Sequence, residues 1–176
     1  MIMRIVSHSC AVYGVDLGKT TFHIAGADQH GRPTLRIKLR RDALLQFFAT
    51  ASPALVGMEA CPESHWLARK LIAFGHDVKL IPAQFVKPYL KSNKNDTLDA
   101  EAIAEAVTRP TMRFVPVKRH EQLDMQALHR LRAQFVHQRT ALVNQFRCFL
   151  LEYGIAIHTG IGMLDRPEFH RHSRAV

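Results

Sequence analysis

The chain has 176 residues, 47% of them hydrophobic, which is enough for one core of ordinary size with a helical appendage and too little for a second full domain. Lys and Arg number 24 against 15 Asp and Glu, and the resulting net charge of +9 suits a polyanion, nucleic acid ahead of an acidic membrane surface. No apolar run approaches the roughly 20 residues that cross a bilayer, and the opening MIMRIVSHSC is too short and broken for a signal segment, so a cytosolic location with no membrane is expected.

Residues 1–10 form an N-terminal lead. After it, 11–16 (AVYGVD) reads as a buried strand, 22–28 (FHIAGAD) as a second, and 34–40 (TLRIKLR) as a third with period-two alternation. HGRP between the last two is a turn, so these strands are expected to be antiparallel neighbours. Asp42 can cap a helix over 43–50 that presents Leu44, Leu45, Phe47 and Phe48 on one face. ALVGMEA at 54–60 returns to strand. Pro62 suits the first turn of a helix that stops at Gly75, and DVKLIP at 77–82 is a fifth strand. Three consecutive strands, then helix, strand, helix, strand, is the ribonuclease H order, an α/β fold with a mixed five-stranded sheet and parallel crossovers.

FVKPYLKSNKN then reads as a partly ordered basic loop with Lys87, Lys91 and Lys94. Asp96 opens a helix through about Val107, which ends near Arg109 because the residue before Pro110 avoids the α region. MRFVPV suggests a further short strand. From about Arg119 to Tyr153 one helical pattern continues without Gly or Pro. Leu128, Leu131, Phe135, Gln138, Leu142, Gln145 and Phe149 follow three-four spacing, a coiled-coil seam with two polar positions, flanked by Arg130, Arg132, Arg139 and Arg147. A core helix and a protruding coil both fit that stripe, and its length favours protrusion. The expected organisation is a domain over 11–117, a long coiled-coil helix over 118–154 and an irregular tail over 155–176.

Cys10, Cys61 and Cys148 leave an odd count with no CxxC pair, so neither a disulfide framework nor a zinc knuckle is indicated, and they are expected to be buried. His170 and His172 lack Cys or acidic partners at ligand spacing. Four acids carry more chemistry. Asp16 follows an apolar strand and precedes Gly18, and Glu59 sits late in a strand among Val56, Met58 and Ala60. Asp96 and Asp99 are three apart, which on a helix puts their Cβ atoms about 5–6 Å from each other. Each has a bland alternative, a turn cap for Asp16 and an N-cap or macrodipole role for Asp96 and Asp99. Glu63 rivals Glu59, although a first-turn helical Glu is explained by the macrodipole. Together, on a ribonuclease H sheet, the four acids are placed to hold two divalent cations for phosphodiester transfer or hydrolysis, with Lys19, Lys87, Lys91 and Lys94 near the phosphate backbone.

GVDLGKT fails as a phosphate loop, because Gly14 and Gly18 enclose three residues where that motif needs four. An actin-like kinase reading of DLGKT would need a second lobe of similar size. With GVDLGK, GMEAC and KNDTLDAEAIAEA in this order before a long Arg-rich helix, the chain resembles the N-terminal part of the IS110-family DEDD transposases over about residues 11–155. The resemblance implies that the family's four acids map onto Asp16, Glu59, Asp96 and Asp99 in a RuvC-like domain that binds Mg²⁺, with Mn²⁺ as a substitute. It also implies that the long helix joins copies into a homo-dimer or higher homo-oligomer, with Arg130, Arg132 and Arg139 on nucleic acid. The implied activity is transposition of an insertion sequence into DNA, directed by a guide RNA, in the bacterial cytoplasm and nucleoid. In that family a C-terminal domain supplies a serine nucleophile. Ser173 matches no motif, so no nucleophile is assigned, and the chain is expected to be incomplete alone. Two other functions fit the same residues: a freestanding RuvC-type Holliday-junction resolvase, and a non-catalytic module that binds RNA and dimerises.

Overall fold

The structure, a computed structural model, describes residues 10–89 and 96–157, with side chains from 98 onward in the second stretch. Met1–Lys118 and Arg119–Val176 are two separate compact units.

In the first unit, β1 (Val12–Leu17), β2 (Thr21–Ala27), β3 (Pro33–Arg40), β4 (Leu55–Glu59) and β5 (Asp77–Ile81) form one sheet in the order β3-β2-β1-β4-β5. β1 pairs antiparallel with β2 and parallel with β4, β2 pairs antiparallel with β3, and β4 pairs parallel with β5. This is the ribonuclease H arrangement expected from the order of elements. The β2–β3 hairpin closes because the Asp28 carboxylate accepts hydrogen bonds from the backbone N–H groups of His30 and Arg32, and Gly31 takes a φ of +77° that other residues resist.

Helices cover both faces of the sheet. On one, α1 (Arg41–Thr50) and α2 (Ser64–Ala73) lay Leu44, Phe48, Leu67 and Leu71 against Tyr13, Val15, Ile24, Met58 and Leu80. Tyr13, Phe47 and Phe48 meet edge to face, with centroids 5.1–5.8 Å apart. His76 ties this layer together: its Nε2 bonds the Phe48 carbonyl at 2.9 Å and its Nδ1 accepts from the Ala54 N–H, so a buried imidazole has both nitrogens satisfied. After β5 come a short α3 (Ala83–Val86) and a 3-10 turn, Lys87–Tyr89. α4 (Asp96–Val107) then crosses the other face, where Ile103 and Val107 cluster with Val12, Ile81 and Val86. α5 (His120–Glu152) is the long helix of the second unit, and none of its residues is buried.

Several local expectations change. α1 begins at Arg41 with Arg40 as its N-cap residue, so Asp42 lies in the first turn, complementing the helix dipole instead of capping. MRFVPV contributes only a single bridge, Val115 to Leu80, because Pro116 cannot extend a ladder. The stretch expected as loop is helical from Phe85 to Tyr89, as the end of α3 and the 3-10 turn. Of the cysteines, Cys10 is buried, Cys61 half-buried and Cys148 exposed, since α5 offers Cys148 no core to enter. Residues 1–9, Lys91, Lys94, His170, His172 and Ser173 lie outside the described residues.

Candidate metal and nucleic-acid site

Two glycines show which strand residues share a face. A Cβ on Gly14 would lie 2.1 Å from the Ala100 carbonyl oxygen and 2.5 Å from the Ala104 nitrogen, and one on Gly57 would lie 2.8 Å from Val107 Cβ. α4 therefore rests directly on the backbones of β1 and β4. Gly14 is level with Gly57 in the parallel register, and side chains alternate along a strand, so Asp16 and Glu59 emerge two residues on, level with each other, on the α4 face. Asp99 sits in the first turn of α4, one residue before the Ala100 that contacts Gly14. Three of the four predicted acids are thus carried by the elements that meet at this end of the sheet. Asp96 opens the same helix, and its side chain lies outside the described residues.

Their surroundings are more open than the apolar sequence suggests. Asp16, Glu59 and Asp99 are all half-buried, not sealed, because the strand ends and the helix start stand at the edge of the layer. Such exposure admits a substrate. Among the described residues no three His, Cys, Asp or Glu side chains converge closely enough to hold an ion by themselves. The donor set still fits a hard cation in kind, since carboxylate oxygens are what Mg²⁺ prefers and it keeps several of its waters.

The rival acid is accounted for differently. Glu63 ion-pairs with Arg41, whose guanidinium lies 5.7 Å from the Phe22 ring centre and 5.2 Å from that of Trp66, in the α1/α2 layer. Sequence reading missed His23, directly across from Asp16 in the β1–β2 register, with its Nδ1 3.9 Å from Asp16 Oδ2. Only the hairpin pairing could reveal that neighbour. Glu101, two residues after Asp99 on α4, ion-pairs with Arg36 of β3. A cavity of about 560 Å³ lies at the opposite end of α4, lined in part by Asp28, His30, Glu105 and Arg109, and Asp16, Glu59 and Asp99 are not among its lining residues.

Lys19 is exposed in the β1–β2 turn, just past Asp16, and Lys87 is exposed in the turn after α3. Arg130, Arg132 and Arg139 are exposed on α5, as is the predicted apolar seam, with Phe135 at 64% and Leu142 at 66% of full exposure. No helix among the described residues is long and apolar enough to cross a membrane.

Comparison with known proteins agrees with the motifs. The chain is 48% identical over 161 residues to the transposase for insertion sequence element IS1328 of Yersinia enterocolitica, covering 89% of this chain and 48% of that protein. It is 49% identical over 142 residues to a probable family 20 transposase of Pseudomonas aeruginosa, covering 81% and 42%. The chain thus spans less than half the length of the curated relatives it matches. Among solved structures it aligns with T. thermophilus RuvC in complex with a Holliday junction substrate at 15% identity and a TM-score of 0.43, over 59% of this chain and 98% of that one. A family model for the IS110 DEDD transposases matches residues 13–155, and the chain belongs to that family.

Proposed function

We propose that Asp16, Glu59, Asp96 and Asp99 hold Mg²⁺ and support phosphodiester transfer in DNA, as part of a transposase that moves an insertion sequence. The observation that carries this reading is the level placement of Asp16 and Glu59 on the face where α4 delivers Asp99. When bound, the metal supplies polarisation of a phosphoryl oxygen and charge stabilisation of the attacking and leaving oxygens. The protein's own part is positional. Two strand ends and one helix start hold carboxylates on separate rigid elements, so the close contact of α4 on Gly14 sets their spacing. Lys19, at the end of β1, lies where it can meet the strand that enters.

The exposed apolar stripe of α5 pairs with the same stripe of a second copy, and Arg130, Arg132 and Arg139 hold nucleic acid, including the guide RNA implied by family membership. The protein acts in the cytoplasm, where the chromosome lies. Mn²⁺ titration followed by electron paramagnetic resonance tests the site. Binding is expected in the native chain and lost in Asp16→Ala and Glu59→Ala, while Glu63→Gln retains it. Unchanged binding in the first two variants refutes the metal role.

A further inference from the structure

β3 is an edge strand, and its alternation has a consequence for charge. Leu35, Ile37 and Leu39 turn toward the α1/α2 core, which leaves Arg36, Lys38 and Arg40 on the opposite face, all exposed. That opposite face is the α4 face. The registers connect it to the acids: Asp16 is paired with His23, and His23 with Lys38, so these three stand in one row across β1, β2 and β3. Two inter-strand steps put the Lys38 backbone about 10 Å from that of Asp16, within the combined reach of a lysine and a phosphate. Arg40, paired with Thr21, lies one step beyond the row, and Arg36, paired with Ala25, one step before it.

α4 packs on β1, β2, β4 and β5, and beside it Arg36, Lys38 and Arg40 stay exposed. Arg36 is neutralised by Glu101. Lys38 and Arg40 have no ion-pair partner among the described residues. Like charges on one face of a strand repel, an arrangement that costs stability unless a polyanion lies along it. A lysine on an edge strand also deters strand pairing, which needs one charge and no particular alignment. Here successive basic residues stand about 6.6 Å apart along the strand, a repeat comparable with that of phosphates on an extended nucleic-acid chain.

We infer that the Arg36–Lys38–Arg40 face of β3 is a phosphate track that holds the DNA strand to be cut, leading it across His23 to Asp16. The inference rests on the proposed DNA chemistry at the acids and adds the path by which one strand reaches them. Lys38 and Arg40 supply the free charges, and Arg36 is fixed in place by Glu101.

The test is fluorescence anisotropy of a labelled single-stranded DNA oligonucleotide with the 176-residue chain in EDTA, so that metal at the acids plays no part. The double variant Lys38→Gln, Arg40→Gln is expected to bind roughly tenfold more weakly near 0.15 M salt, with a log–log salt slope shallower by about 1.4, the value for two lost single-strand contacts. A control that removes equal charge elsewhere, Arg32→Gln with Lys70→Gln, is expected to keep the native slope. An RNA of the same sequence is expected to lose less, because the α5 arginines carry its binding. Should the double variant fold poorly, Lys38→Gln alone should lower the slope by about 0.7. An unchanged slope overturns the track and leaves the metal proposal intact. Equal loss in the control reduces the effect to bulk charge, and a loss at least as large on RNA assigns the face to RNA; both overturn it. If Asp16→Ala leaves Mn²⁺ binding untouched while the double variant loses DNA, the metal proposal fails and the track stands. A native chain that binds no DNA overturns the track, while Mn²⁺ binding decides the metal proposal separately.

Discussion

Replacing Gly14 by alanine tests the link between packing and site geometry. The added Cβ would lie 2.1 Å from the Ala100 carbonyl oxygen, where ordinary contact begins at 3.4 Å, and 2.5 Å from the Ala104 nitrogen. Both atoms belong to the α4 backbone, so no side-chain rotation relieves the clash, and the helix must withdraw by about 1.3 Å. Overpacking of this kind costs about 1–3 kcal/mol, less than the total stability of about 5–15 kcal/mol typical of a domain, so the variant stays folded. The helix that withdraws carries Asp99. Mn²⁺ affinity should therefore fall by about 10–100-fold, as it does when groups that orient metal ligands are lost. Urea unfolding followed by circular dichroism gives the stability, and electron paramagnetic resonance gives the metal affinity. Gly57→Ala, whose nearest obstacle is the Val107 side chain at 2.8 Å, should cost less on both measures. Native stability and affinity in Gly14→Ala would refute the reasoning, because α4 would then not rest on β1 as described.

Leu131→Glu combined with Leu142→Glu puts two charges into the α5 seam, and light scattering is expected to show a dimer for the native chain and a monomer for the variant; a dimer that persists in the variant removes the seam as the interface. Arg41→Gln should destabilise the first unit by about 1–3 kcal/mol in urea, since it removes cation–π contacts with Phe22 and Trp66 and strands Glu63, whose Oε1 is buried; a loss below about 0.5 kcal/mol would contradict that account. His65 is held below its ordinary value of 6.5 by burial, with the positive charges of Lys118 and Arg69 adding to the effect. The unfolded chain takes up that proton more readily, so the contribution of His65 is fully present above pH 6.5 and is lost as pH falls through the depressed folded value. His65→Gln, whose amide oxygen can still accept from the Lys118 N–H, should show a smaller drop in urea midpoint between about pH 7.5 and pH 5; equal drops would exclude the histidine as the source.

The element order, the hairpin at HGRP, the start of α4 at Asp96 and the length of α5 were legible in the chain because each depends on local signals: alternation, turn residues, proline and a sustained helical period. The four acids were legible as candidates by motif and by position at element ends. The common face of Asp16 and Glu59 was not, because it depends on the register of β1 with β4 and on α4 settling onto two glycines that look unremarkable in sequence. The same limit hid His23 beside Asp16, the Arg41–Glu63 pair that occupies the rival acid, and the basic face of β3. Asp16 and His23 are 7 residues apart in sequence, Arg41 and Glu63 are 22 apart, and Arg36 of β3 is 65 from its partner Glu101. Local propensity determined which segments are strands and helices; only tertiary pairing decided which side of the sheet each charge occupies, since a shift of one residue in register would send every one of them to the other face.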